Sequence, residues 1–308
     1  MSEMLDTIIV AVDQLEDLEQ VISHTATLAI PLSASVVILG IIEKISGAGE
    51  QFTDPVIWNM TKSETQAELD RYANYLQEQG VETRLEIVEP ATVETLLQFA
   101  ESLRADLIVV AAPEEILTPL IRTILKHSTI PILLSRPGQA KSAFSNILVP
   151  LDGSQRAESS LTLATAFARA GNAQLHLVHV VQQSQTPRQI PLTSEDAELI
   201  QRLFERNVEE AKRYLEQVSA RLACEVKSHV IVDGKVASSL HNLISQENID
   251  LLILSAHGHS GEPQWPFGTI ADNLINYSKV PIIVVQDLPA LFVKQTVEPK
   301  RLHNGIGR

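Results

Sequence analysis

The sequence predicts an α/β protein made of two tandem five-stranded parallel-sheet sandwiches. Its length, an internal repeat and the alternation of short apolar runs with longer helical ones predict this. A chain of 308 residues corresponds to about two domains. Three segments recur in the same order in the two halves. TIIVAVD (7–13) returns as NILVPLD (146–152), DLIVVAA (106–112) as DLLILSA (250–256), and IPILLSR (130–136) as VPIIVVQ (280–286). Three paired segments in one order indicate duplication.

The elements follow from the runs. Strands are expected near 7–12, 35–42, 83–88, 106–112 and 130–135, then at 147–150, 174–180, 225–232, 251–255 and 282–285. These are continuous apolar runs, as expected of parallel strands covered on both faces. The clearest helix spans 194–222. Its apolar positions Leu199, Ile200, Leu203, Phe204, Val208, Ala211, Leu215, Val218 and Leu222 recur at three- and four-residue steps. Thr193 with Asp196 supplies an acidic variant of the capping box at its start. Repeated β-α units build a parallel sheet through right-handed crossovers, and five strands per half point to a flavodoxin-like sandwich. The stretch RPGQAKSAFS (136–145) is polar and broken by Pro137 and Gly138, so it reads as a linker. The expected division is one domain at 1–140, a second at 141–287, and a tail at 288–308 that reads as an extended arm or a disordered segment.

Composition narrows the class. The chain is 44% apolar and 20% charged, which fits a protein with a real core. No window reaches the length of apolar residues a membrane span needs. The N-terminus has no basic region ahead of its apolar run, so no secretory signal is expected. Cys224 is the single cysteine. That excludes an internal disulfide and fits a reducing, cytoplasmic setting. Residues 1–140 carry 8 Lys/Arg against 21 Asp/Glu, a net of −13, whereas residues 141–308 carry 16 against 17, a net of −1. Repulsion disfavours nucleic acid or an anionic membrane as partners of the first half. An anionic ligand is expected to prefer the second.

In open parallel sheets, ligands sit beyond the carboxyl ends of the strands, where the strand order reverses. Two segments of the second half qualify: PLDGS (150–154) and SAHGHSGEPQWPFGT (255–269). The latter carries Gly258, Gly261 and Gly268 and has no Lys or Arg. It ends in Gly268-Thr269 just before a helical run. Backbone N–H groups of a glycine loop and a helix N-terminus suit phosphate oxygens. The bland readings stand beside these. Asp152 could cap a helix starting near Ser154. His257 and His259 could bind zinc, but no second cluster lies nearby in sequence, so no metal is expected there. His176 and His179 read as core or interface histidines. Trp265, Pro266 and Phe267 read as an anchor for the loop, and Cys224 as a small apolar residue.

The loop resembles that of the universal stress protein family, whose pattern is Gly, two residues, Gly, nine residues, then Gly-Ser or Gly-Thr. Here Gly258, nine residues and Gly268-Thr269 match that spacing; Ser255 replaces the first glycine and His259 the basic residue often found after the second. The family's aspartate at the end of the first strand corresponds to Asp152, with Pro150 just before it. The resemblance covers about 5–136 and 145–286. It implies ATP as ligand, alone or with Mg. Asp152 would contact the nucleoside, and the backbone of Val180 the adenine. Ser255, His257, Gly258, His259, Gly268 and Thr269 would surround ribose and phosphates. It also implies pairing of the two domains within the chain through their final strands, with assembly into a homodimer left open.

The first half lacks the loop. From Ala112 to Ile130 is 18 steps, against 24 from Ala256 to Val280. What remains has no glycine and carries Glu114 and Glu115. Asp13 is retained, and the half reads as a degenerate partner. There is no GxSxG elbow, no lysine in the loop and no acidic pair spaced for metal-assisted phosphoryl transfer. The leading reading is therefore a nucleotide-binding stress-response or regulatory protein. A scaffold acting through protein contacts and a slow ATP hydrolase remain as alternatives.

Overall fold

The computed structural model describes residues 5–12, 15, 17–41, 55–88, 92–113, 117–138, 143–182, 193–258 and 267–286. The first half runs β1 (Thr7–Val12), α1 (Leu18–Leu32), β2 (Ser35–Ile41), α2 (Pro55–Glu78), β3 (Thr83–Val88), α3 (Val93–Ser102), β4 (Leu107–Ala111), α4 (Pro119–His127) and β5 (Ile132–Ser135). The second runs β6 (Asn146–Pro150), α5 (Gln155–Glu158), α6 (Ser160–Gly171), β7 (Gln174–Val181), α7 (Ser194–Ser219), β8 (Val226–Val232), α8 (Val236–Gln246), β9 (Leu251–Ser255), α9 (Thr269–Tyr277) and β10 (Ile282–Val285). Each strand lies within a residue or two of its expected position. Continuous Val/Ile/Leu runs satisfy strands that are covered on both faces.

The two sheets join through their final strands, as the resemblance implies, into one. Ten strands follow the order β3-β2-β1-β4-β5-β10-β9-β6-β7-β8. All neighbours are parallel except β5 and β10, which pair antiparallel with Ile132 opposite Val284, Leu133 opposite Ile283 and Leu134 opposite Ile282. Sequence periodicity cannot show this junction, because it reports which face of a strand is buried and not which edge is paired. Within each half the α/β sandwich has the order 3-2-1-4-5, not the 2-1-3-4-5 of flavodoxin itself. The chain reverses direction between the first and fourth strands. Two apolar layers cover the sheet, and each contains residues from both halves.

The duplication extends to polar detail. Asp106 Oδ2 accepts from the backbone N–H groups of Asp6 and Thr7 at 2.8 and 3.0 Å. Its counterpart Asp250 accepts from Ser145 and Asn146 at 2.9 and 3.0 Å. In both halves a carboxylate just before the fourth strand thus fixes the start of the first. Among the described residues, no helix is long and apolar enough to cross a membrane.

Two expectations need correction. Arg136, taken as the first residue of a solvated linker, is 1% exposed. Its guanidinium donates to the carbonyl oxygens of Pro113 and of Ile275, and so ties the first half to α9 of the second. Phe144, near the far end of the same stretch, is also buried. The helix at 194–222 ends at Ser219 and has the expected capping box of Thr193 and Asp196. Its early apolar positions are not core, however. Leu199 and Leu203 are 58% and 50% exposed, while Ala211, Leu215 and Val218 are buried. At 3.6 residues per turn, Leu199 and Leu203 fall outside the face made by Ala211, Leu215 and Val218. The tail at 288–308 lies outside the described residues.

Replacing Arg136 with Met keeps bulk but leaves two buried carbonyl oxygens without their donor. We expect Arg136→Met to cost on the order of 2–4 kcal/mol, read as a lower midpoint in urea unfolding.

Candidate nucleotide-binding site

A cleft of about 660 Å³ opens at the carboxyl ends of the second half's strands, where the order reverses between β6 and β9. That volume lies within the range of small-molecule sites. The cleft gathers Pro150 and Asp152 from the end of β6, Val180 from β7, and Ser255, His257 and Gly258 from the end of β9 and beyond. Gly268 and Thr269 reach it from the start of α9. Every predicted site residue that is described therefore lines one cavity. His259, Trp265 and Pro266 lie outside the described residues, as do Asp13, Glu114 and Glu115 of the first half. Phe267 is described, and it packs against the buried layer.

Local chemistry explains the turn after β6. Leu151 N donates to Val178 O at 2.8 Å. Gly153 then takes φ +83°, a left-handed conformation that glycine adopts without steric cost. This lets Ser154 N donate to Asp152 Oδ1 at 3.0 Å. The helix cap itself is Ser154, whose Oγ accepts from Ala157 N at 3.1 Å. Asp152 thus braces the turn while lining the cleft. Gly258 packs directly on it, and a Cβ placed there would overlap Asp152 Oδ2. Ser255 ends β9 in extended backbone, so the first glycine of the family pattern can be serine here without strain. Its hydroxyl donates to His257 O at 2.8 Å, and His257 is 1% exposed.

The phosphate end is defined by what caps each helix. Gly268 is the N-cap of α9 and offers no side chain to its first turn. The leading N–H groups of a helix have no internal acceptor and attract anions. The matching helix of the first half, α4, is closed by Thr118, whose Oγ1 accepts from Ile121 N at 3.3 Å. One helix start thus carries a side-chain cap, and the other does not.

Sequence reasoning missed the wall formed by α7. Asn207, Glu210, Ala211 and Tyr214 line the cleft beside His179. The His179 and Tyr214 rings meet edge-on at 5.9 Å between centroids. His179 Nδ1 and the Tyr214 hydroxyl are buried with no hydrogen-bond partner among the described residues. Burial pushes the Tyr214 phenol well above its ordinary value, and the Glu158 carboxylate adds to this. Burial lowers His179 below its ordinary value, against opposing contributions from the Leu151 backbone and Asp152. A histidine adjacent to a predicted ligand contact was the available signal.

A parallel α/β unit with a glycine-bearing loop, an uncapped helix and a strand-end aspartate at its reversal point has the architecture of a small-ligand binding fold. The chain belongs to the universal stress protein family, whose sequence model matches residues 4–136 and again 143–286. Among curated relatives, universal stress protein MJ0577 of Methanocaldococcus jannaschii is 25% identical over 155 residues, 46% of this chain and 95% of that protein. Universal stress protein A homolog 1 of Coxiella burnetii is 27% identical over 119 residues, 38% of this chain and 80% of that protein. Among solved structures, a universal stress protein from Archaeoglobus fulgidus is 16% identical with a TM-score of 0.65, covering 92% of this chain and 98% of that one. Protein PA1789 of Pseudomonas aeruginosa is likewise 16% identical, with a TM-score of 0.66 and coverage of 94% and 95%. These two structures share the fold of the whole tandem.

Three expectations follow from this geometry. Gly258→Ala forces the Asp152 carboxylate aside, and we expect it to lower the melting temperature by several degrees. Gly268→Ala meets nothing closer than 3.8 Å and should cost about 1 kcal/mol or less, the penalty of a poor N-cap. As pH falls through the ordinary histidine value of 6.5, the unfolded chain takes up a proton at His179 before the folded one does. Stability is therefore expected to fall between pH 7 and pH 5. His179→Gln should reduce that slope in urea midpoints measured across this range.

Proposed function

We propose that this chain is a nucleotide-responsive regulatory protein that holds one adenine nucleotide in the cleft of its second half. The division into domains at 1–140 and 141–287 belongs to the same reading. The uncapped N-terminus of α9, set against Gly258 and Asp152, is the observation that carries it. The α4 end closed by Thr118 is its internal control. Asp152 would accept hydrogen bonds from ribose hydroxyls, and the Val180 backbone would meet the adenine edge. Gly258 and Thr269 would present backbone N–H groups to the phosphates, while Gly268, whose own N–H donates to Ala256 O at 2.9 Å, leaves the helix start open by carrying no side chain. Pro150, Ser255 and His257 shape the floor of the cleft.

The described lining contains no Lys or Arg and includes the carboxylates of Asp152 and Glu210. Phosphate charge would therefore be met by backbone dipoles, with Mg accompanying a triphosphate. No nucleophile–base pair faces the phosphate end among the described residues, which favours a binding switch over turnover. The first half serves as the paired structural partner. Its net charge of −13 over residues 1–140 makes it a poor host for phosphate.

The test is calorimetric titration of the full chain with ATP, with and without Mg, beside Gly268→Glu. One site per chain is expected, lost in the variant because its carboxylate occupies the anion position. No heat, and no nucleotide released on denaturation, would leave the chain as a scaffold. Release of labelled phosphate would turn the reading toward a hydrolase.

A further inference from the structure

A second polar cluster lies at the opposite, amino-terminal end of the sheet in the second half. His176 of β7 and His229 of β8 point to the face covered by α8, whereas His179 points to the α7 face. His176 is 1% exposed. Its Nε2 lies 3.3 Å from Asn146 Oδ1, and its Nδ1 lies 3.1 Å from His229 Nε2. The two rings are nearly parallel, 7° apart. Glu247, the C-cap residue of α8, brings a carboxylate to the same place. One ligand atom from each of the three residues falls within 4.8 Å of the others.

An amide oxygen can only accept, so the Asn146 contact puts the His176 proton on Nε2 and turns the Nδ1 lone pair toward His229. Hydrogen-bonding the far nitrogen of an imidazole in this way is how metal-binding histidines are oriented. Two nitrogens on one tetrahedral zinc, at Zn–N of about 2.0–2.1 Å, lie roughly 3.3 Å apart, within a few tenths of the observed spacing. Lys227 Nζ, 2.5 Å from Glu247 Oε2, competes with a cation for that carboxylate.

We propose that His176, His229 and Glu247 form a binding site for a divalent transition-metal ion of the zinc type, with water completing its coordination at the sheet edge. The site is separate from the nucleotide cleft but shares its elements. β7 supplies Val180, and α8 supplies Val236 and Leu240, to the cleft wall. A bound ion would pin the end of α8 to β7 and β8. The proposal is independent of nucleotide binding.

The experiment takes the full chain, stripped with a chelator, and titrates it with Zn²⁺ by calorimetry, with Co²⁺ as spectroscopic probe. One ion per chain is expected, with the visible bands of four-coordinate Co²⁺ and a higher melting temperature when Zn²⁺ is present. His229→Gln and Glu247→Gln, at partly exposed positions, should each weaken binding at least about tenfold. Asn146→Ala should weaken it by about 10- to 100-fold through loss of ring orientation. Metal-free melts verify that the variants fold. Failure of the parent chain to bind Zn²⁺ would overturn the proposal, as would undiminished binding in folded His229→Gln and Glu247→Gln.

Discussion

The antiparallel pairing of β5 with β10 is the contact on which the rest of the molecule depends. Each strand closes its own half, and alone each would present an apolar edge with unmatched N–H and C=O groups. Paired, they turn two five-stranded sheets into one and let the apolar layers on both faces run across the junction. Arg136 locks the arrangement from the side. Its position immediately after β5 brings its guanidinium within reach of a carbonyl in α9. The buried cation is compensated by its hydrogen bonds to two carbonyl oxygens; an isolated one would carry a severe desolvation cost.

The same scaffold carries unequal ends. Both halves place a helix start beside the reversal point of their strands. Thr118 closes one with its own side chain, while Gly268 leaves the other bare. A single residue at the cap thus separates a helix start that carries a side-chain cap from one that does not. The segment between Ala112 and Ile130 is also six residues shorter than its counterpart and carries Glu114 and Glu115.

Most of the strand pattern was legible in the sequence because parallel strands covered on two faces must be continuously apolar. The residues around the cleft were legible for a related reason. Asp152, Gly258 and Gly268 sit at strand ends and helix starts, which the chain marks locally. What escaped was non-local. The burial of Arg136 follows from partners on Pro113 and Ile275. The meeting of His179 with Tyr214 depends on how α7 packs across β7. Leu199 and Leu203 meet solvent because, at 3.6 residues per turn, they lie roughly 80–120° around the helix from the middle of the face made by Ala211, Leu215 and Val218. The approach of His176, His229 and Glu247 requires strand register and helix length together, and no spacing in the sequence encodes it.

Among the described residues, the merged sheet ends at β3 and β8. Each carries exposed polar residues: Arg84 and Glu86 on the first, Lys227 and Ser228 on the second. Charges along an edge strand oppose its docking against the edge of another sheet. The ten-stranded array is thereby self-terminating. The duplication uses up the one pair of apolar margins the fold possesses, and the chain is guarded against growing into a fibre by the mode of addition that built it.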